Sequence, residues 1–170
     1  MFDEDIKIAE LGNIKSKASS SNKNKGSFHE EYNRESSKGN TEKAKALGKA
    51  LADSVVENLN TFTVEKEELQ GTDMQMQKGV LMTFAATVCI EAEFTSTVVS
   101  QTAKNSFNSE LEKISPMLYK AVGDSGAFSF YYLAYRRGTE VDRRIGQTFA
   151  MLCSHDGDPV YQELGEAIYC

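Results

Sequence analysis

An all-α fold is the class this sequence predicts, and three observations predict it. Apolar residues recur at helical spacing through most of the chain after residue 40, and no segment alternates with the period of two of a strand over more than a few residues. Only two prolines interrupt the 170 residues. The length suits one domain, with room for a helical core that needs no disulfide or metal staple. The expectation is therefore a single compact helical bundle over residues 41–170, of about six to seven helices around a central apolar helix, preceded by a flexible polar N-terminal arm over residues 1–40.

Within the arm, Phe2, Ile6, Ile8, Leu11 and Ile14 have the spacing of a short amphipathic helix. Residues 16–40 follow, with eighteen Ser, Asn, Lys, Arg or Gly among twenty-five, a composition that buries too little apolar surface to offset chain entropy. From Asn40 and Thr41 the pattern changes. Ala44, Leu47, Leu51, Val55 and Leu59 form one face, with Lys43, Lys45, Lys49, Asp53 and Glu57 elsewhere, which predicts a one-faced surface helix.

A polar turn near "TVEKEELQG" leads to Thr72 and Asp73, either of which can cap a long helix reaching about Gln101. Met74, Leu81, Phe84, Ala85, Val88, Ala92, Thr95 and Val99 make one stripe of it, and Met76, Val80, Ile90, Phe94 and Val98 cover much of the other side. A helix apolar around most of its circumference belongs in the middle of a bundle. Shorter helices are expected at about 105–114 and from Ser115-Pro116 to Gly123. Ser125 then opens an aromatic helix that stops at Gly138, Thr139 with Asp142 resembles a capping box for the next, and Asp158-Pro159 starts the last.

Charge narrows the function classes. Of the formal −6, residues 1–40 carry seven basic and seven acidic side chains, so the acidity belongs to the body. An acidic body repels phosphate backbones at long range, which argues against nucleic acid as a partner. The first residues are acidic where a signal peptide needs positive charge, and no apolar run is long enough to span a bilayer, so neither export nor a membrane is expected. Cys89, Cys153 and Cys170 are an odd number without framework spacing, which suits a reducing, cytoplasmic location.

Catalytic and metal constellations are missing from the pattern. The only histidines, His29 and His155, have no Glu three positions earlier, which excludes a ferritin-like di-iron set. "CSHDGD" at 153–158 offers Cys153, His155, Asp156 and Asp158, but its spacing matches no zinc signature, and the same letters spell a helix end, a glycine turn and an aspartate cap. Two residues apart on a helix, Cys153 and His155 point to different sides, which is poor for nucleophile and base. No metal, no cofactor and no catalytic residue is assigned.

Two features stand out. Glu91 falls on the border of the apolar stripe, where a partly buried carboxylate needs a partner, and Arg144 is the expected one, in a structural ion pair. The second is "FSFYYLAYRRGTEVDRR", residues 128–144, whose five aromatics in the first eight positions exceed what one helical face can hold. Its Tyr131, Tyr132, Tyr135, Arg136, Arg137, Arg143 and Arg144 are the candidate ligand or anion site. The leading expectation is a non-enzymatic protein-interaction or regulatory module, with a protein partner or self-association. The alternative is a small-molecule, anion-binding protein or enzyme that uses the Tyr/Arg cluster. A sealed cluster with an apolar patch exposed elsewhere favours the first, and an open polar pocket the second.

Overall fold

A computed structural model describes residues 27–61 and 72–170. The expectations for an amphipathic segment over 2–14, for the serine-rich stretch up to residue 26 and for the turn at 63–71 lie outside the described residues, as do the capping side chains of Thr72 and Asp73. Eight helices and no strand occur among the described residues. Contacts divide the chain into two units, Met1–Glu42 and Lys43–Cys170.

In the first unit, residues 27–37 are helical (α1), where composition alone predicts an irregular arm. Local side-chain bonding stabilises its end. Gly39 takes the left-handed conformation (φ 76°), Ser37 Oγ donates to the Arg34 carbonyl, and Asn40 Nδ2 donates to Glu35 Oε2 at 2.6 Å. That hydrogen bond, more than the cations of Lys38 and Arg34, holds the Glu35 carboxyl below its ordinary pKa.

α2 (Asn40–Thr61) begins in the first unit and continues into the second. In the second unit it buries Ala44, Gly48, Ala52, Val55 and Leu59, with Leu47 and Leu51 half-buried beside them. Small residues set how close it comes to the helix over 97–114: a Cβ on Gly48 would collide with the Ala103 carbonyl, and Ser106 Oγ donates to the Lys45 carbonyl at 2.7 Å.

α3 (Thr72–Glu93) is the central helix and packs against α4 (Thr97–Ile114), α5 (Pro116–Asp124), α6 (Ala127–Arg136), α7 (Val141–Leu152) and α8 (Pro159–Tyr169). Val80, Leu81, Phe84 and Ile90 are buried along it, so the expected position of this helix holds. Its expected length does not: it ends at Glu93, not near Gln101, and α4 begins at Thr97. Ser96 adopts an extended conformation (φ −76°, ψ 124°), and its hydroxyl accepts from the Val99 N–H at 3.4 Å. The apolar spacing carries on across this break in Val98, Val99, Ala103, Phe107 and Leu111, all buried, which is why periodicity alone reads one long helix.

The later helices follow their punctuation. Pro116 sits in the first turn of α5, although Ser115 makes no side-chain cap. Gly126 (φ 64°) precedes α6 and Gly138 (φ 71°) follows it. The expected capping box at Thr139 does not form: Glu140 occupies the N-cap position in the left-handed region (φ 49°), and the Thr139 carbonyl accepts instead from Arg144 Nε at 2.9 Å. Asp158 does cap α8, accepting from the Val160 N–H at 2.9 Å, with Pro159 behind it. α7 and α8 pack through glycine, since a Cβ on Gly165 would stand 2.7 Å from the Phe149 Cβ and one on Gly146 would strike the Gln162 carbonyl.

Candidate functional site

The aromatic run of α6 is distributed by helical rotation. Ala127, Tyr131 and Ala134, at i, i+4 and i+7, are buried toward α3. Phe84 of α3 is the hub they meet: its ring centroid lies 5.3 Å from that of Tyr131, 5.0 Å from Tyr132, 5.5 Å from Phe128 and 6.4 Å from both Tyr135 and Tyr169. These separations are those of favourable aromatic packing. Four of the five aromatics therefore meet Phe84, Tyr135 from an exposed position, and Phe130 is exposed away from it.

Tyr131 is completely sealed, and its hydroxyl has no hydrogen-bond partner among the described residues. Burial, and secondarily Cys153, push its phenol well above the ordinary value. Cys153 shares this interior; burial raises its thiol to about 12, against a downward pull from Lys78. Lys78, only 3% exposed on α3, has its amine lowered by desolvation. Sequence reasoning missed this buried lysine because Lys on an otherwise apolar helix reads as a solvent-facing break in the stripe.

The proposed Tyr/Arg cluster does not form one site. Tyr131 is in the core, and Tyr135 is exposed with its ring edge-on to Phe84. Arg136 is exposed in the last turn of α6, and Arg143 is exposed and 3.5 Å from Glu140. Tyr132 lines a pocket of about 240 Å³ between α3, α4, α5 and α6, together with Lys104. Arg137 and Arg144 line a different cavity, a groove of about 280 Å³ between α6 and α7.

Glu91 is not buried and does not meet Arg144. Its side chain is 36% exposed, and its Oε1 lies 2.5 Å from Lys104 Nζ. The helix break explains the change of partner: by ending α3 at Glu93 and starting α4 at Thr97, the chain turns back and brings a lysine thirteen residues later beside Glu91. A continuous helix would have carried Lys104 far along the same axis.

The α6/α7 groove has the most distinctive chemistry among the surfaces. Phe130 (48% exposed), Leu133 (62%) and Met151 (41%) are large apolar side chains left in solvent along it. Arg137 and Arg144 flank them, and neither makes an ion pair with a described carboxylate. Ala134, Gln147, Thr148 and Asp156 complete the lining. Sequence reasoning found the arginines and missed the apolar members. The signal was available in the spacing, because Phe130, Leu133 and Arg137 at i, i+3 and i+7 share a helix face turned away from Tyr131.

Other surfaces differ in kind. A groove of about 480 Å³ between α2, α3 and α8 is lined mostly by apolar side chains, with Cys89 and Cys170, neither of them in a disulfide, on its lining. Among the described residues no group of three or more His, Cys, Asp and Glu side chains is placed to hold a metal ion, and no helix is long and apolar enough to cross a membrane. His155 of the "CSHDGD" turn instead stacks on Tyr161, with ring centroids 4.0 Å apart.

Compared with protein-family models, with curated proteins and with solved structures, the chain matches none.

Proposed function

We propose that the chain is a non-enzymatic interaction module whose α6/α7 groove receives an amphipathic, acidic segment of a partner protein. One observation carries this reading: three large apolar side chains stay exposed beside two arginines that have no carboxylate partner among the described residues. Isolated exposed apolar residues are ordinary, but a contiguous apolar set with a polar rim is typical of interaction sites. Phe130 and Leu133, one helical turn apart, are spaced to receive the anchors of an amphipathic helix, and arginine is the cation best suited to fork onto a carboxylate. A second copy of the same face is the weaker occupant, because a symmetric dimer would set arginines against arginines.

Panning a peptide-display library on the full chain tests the reading, with a Leu133→Asp/Arg144→Ala double variant as counter-screen. The expected winners carry two apolar residues three or four apart plus an acidic residue, and lose about tenfold or more in affinity for the variant. Winners without acidic enrichment, or winners that bind both proteins equally, overturn it.

A further inference from the structure

The pocket between α3, α4, α5 and α6 is separate from the α6/α7 groove, and its lining combines one cation with several rings. From these we infer that it is a binding site for a small monocyclic aromatic carboxylate, with Lys104 as the partner of the acid group and Phe107, Phe128 and Tyr132 around the ring. This assignment is independent of the interaction surface.

Size comes first. An apolar void of about 150 Å³ is enough for benzene. The pocket, at about 240 Å³, takes one ring and one substituent, and falls below the range of about 300–1,000 Å³ that larger ligands need. The walls are suited to a ring. Phe107 is 2% exposed and Ile90 fully buried, while Phe128 and Tyr132 are held in place by edge-on contacts with Phe84. Rigid, preorganised aromatic walls lower the ordering cost of binding.

Charge decides the substituent. Lys104 is the one charged side chain on the lining among the described residues, and an ammonium offers three donors, of which Glu91 engages one. Glu91 itself is not on the lining, so a ligand carboxylate can reach the ammonium from the pocket side. Tyr132 adds no free donor, because its hydroxyl already hydrogen-bonds to Glu91. Burial first, and then the neighbouring Glu91, raises its phenol above the ordinary value, so the hydroxyl keeps its proton at neutral pH. The hydroxyls of Thr83 and Thr87 already donate to the carbonyls of Gly79 at 2.8 Å and Thr83 at 3.0 Å, so they present oxygen lone pairs and repel an anion. The acid group is thereby directed to the Lys104 end.

Benzoate is the probe, with benzyl alcohol as its uncharged counterpart, measured by calorimetry and by saturation-transfer NMR on the full chain at low salt. Saturable benzoate binding is expected. Lys104→Met should weaken it about tenfold or more while leaving benzyl alcohol binding nearly unchanged. Glu91→Gln should tighten benzoate, because the competing carboxylate is gone. Both side chains are partly exposed, so both variants should melt close to the wild type. Lack of saturable benzoate binding by the wild type, a Lys104→Met protein that binds benzoate as the wild type does, or a Glu91→Gln protein that binds it no more tightly, each overturns the assignment.

Discussion

Tyr131 concentrates the conflict between packing and polarity in this core. Its ring belongs there, tilted against Phe84 at 5.3 Å, but its hydroxyl is buried without a hydrogen-bond partner among the described residues. Leaving such a group unsatisfied costs about 1–3 kcal/mol. Tyr131→Phe keeps the ring and removes the unsatisfied group, so it should stabilise the protein by about 1 kcal/mol, seen as a higher urea midpoint at unchanged slope. A loss of stability of that size would mean that the hydroxyl is partnered after all. Glu91 makes the complementary point. Its position on the border of the stripe was legible in the sequence, but its exposure and its partner were not, because both depend on where the next helix goes.

Helix pairs here are set by what is absent as much as by what is present. The α7/α8 pair approaches through Gly146 and Gly165, where any Cβ would meet the facing helix. Gly165→Ala improves intrinsic helix propensity by about 1 kcal/mol, and on an isolated helix it would stabilise. Against Phe149 it must instead push α8 outward, and overpacking of this kind costs about 1–3 kcal/mol. The expected net outcome is a lower melting temperature, read by circular dichroism. An unchanged or raised one would show that the two helices are not in close contact. The break between α3 and α4 is decided at the same scale. Ser96 is a good cap, but the sequence offers many serines, and this one starts a helix where turning lets Val98, Val99 and Ala103 bury.

For the whole folded chain, the buried thiol and phenol make stability depend on alkaline pH. Cys153 has a folded-state value near 12 against an ordinary value near 9, so the unfolded chain gives up this proton first. The stability linked to it is complete below about pH 9 and is lost as the pH rises toward 12. Tyr131, also raised, acts in the same sense at somewhat higher pH. Lys78 acts in the opposite sense: its lowered value lets the folded chain shed a proton while the unfolded chain still holds one, so its penalty is relieved as pH rises toward 10.5. Tyr132, Tyr169 and Cys170 are raised too, and five raised groups against one lowered group among the described residues predict a net fall in the urea midpoint between about pH 9 and 12. Cys153→Ala should flatten that fall, and an equal slope in the variant would remove Cys153 as its source.

The all-α class, the central place of the apolar helix and the positions of most helix ends could be read from the sequence, because they follow from local rules. Spacing of 3.6 residues marks a buried face, and Gly126, Gly138 and the Asp158-Pro159 pair punctuate the chain whatever surrounds them. The chemistry could be read only in part. Residue types identified the tyrosines and arginines of 131–144, but not that helical rotation would divide them between a sealed core, a ring-lined pocket and a groove with exposed Phe130 and Leu133. Those outcomes depend on contacts between residues distant in sequence, such as Glu91 with Lys104 and Phe84 with Tyr169. Local propensity and periodicity carry no term for such pairs, so only the tertiary structure decides them.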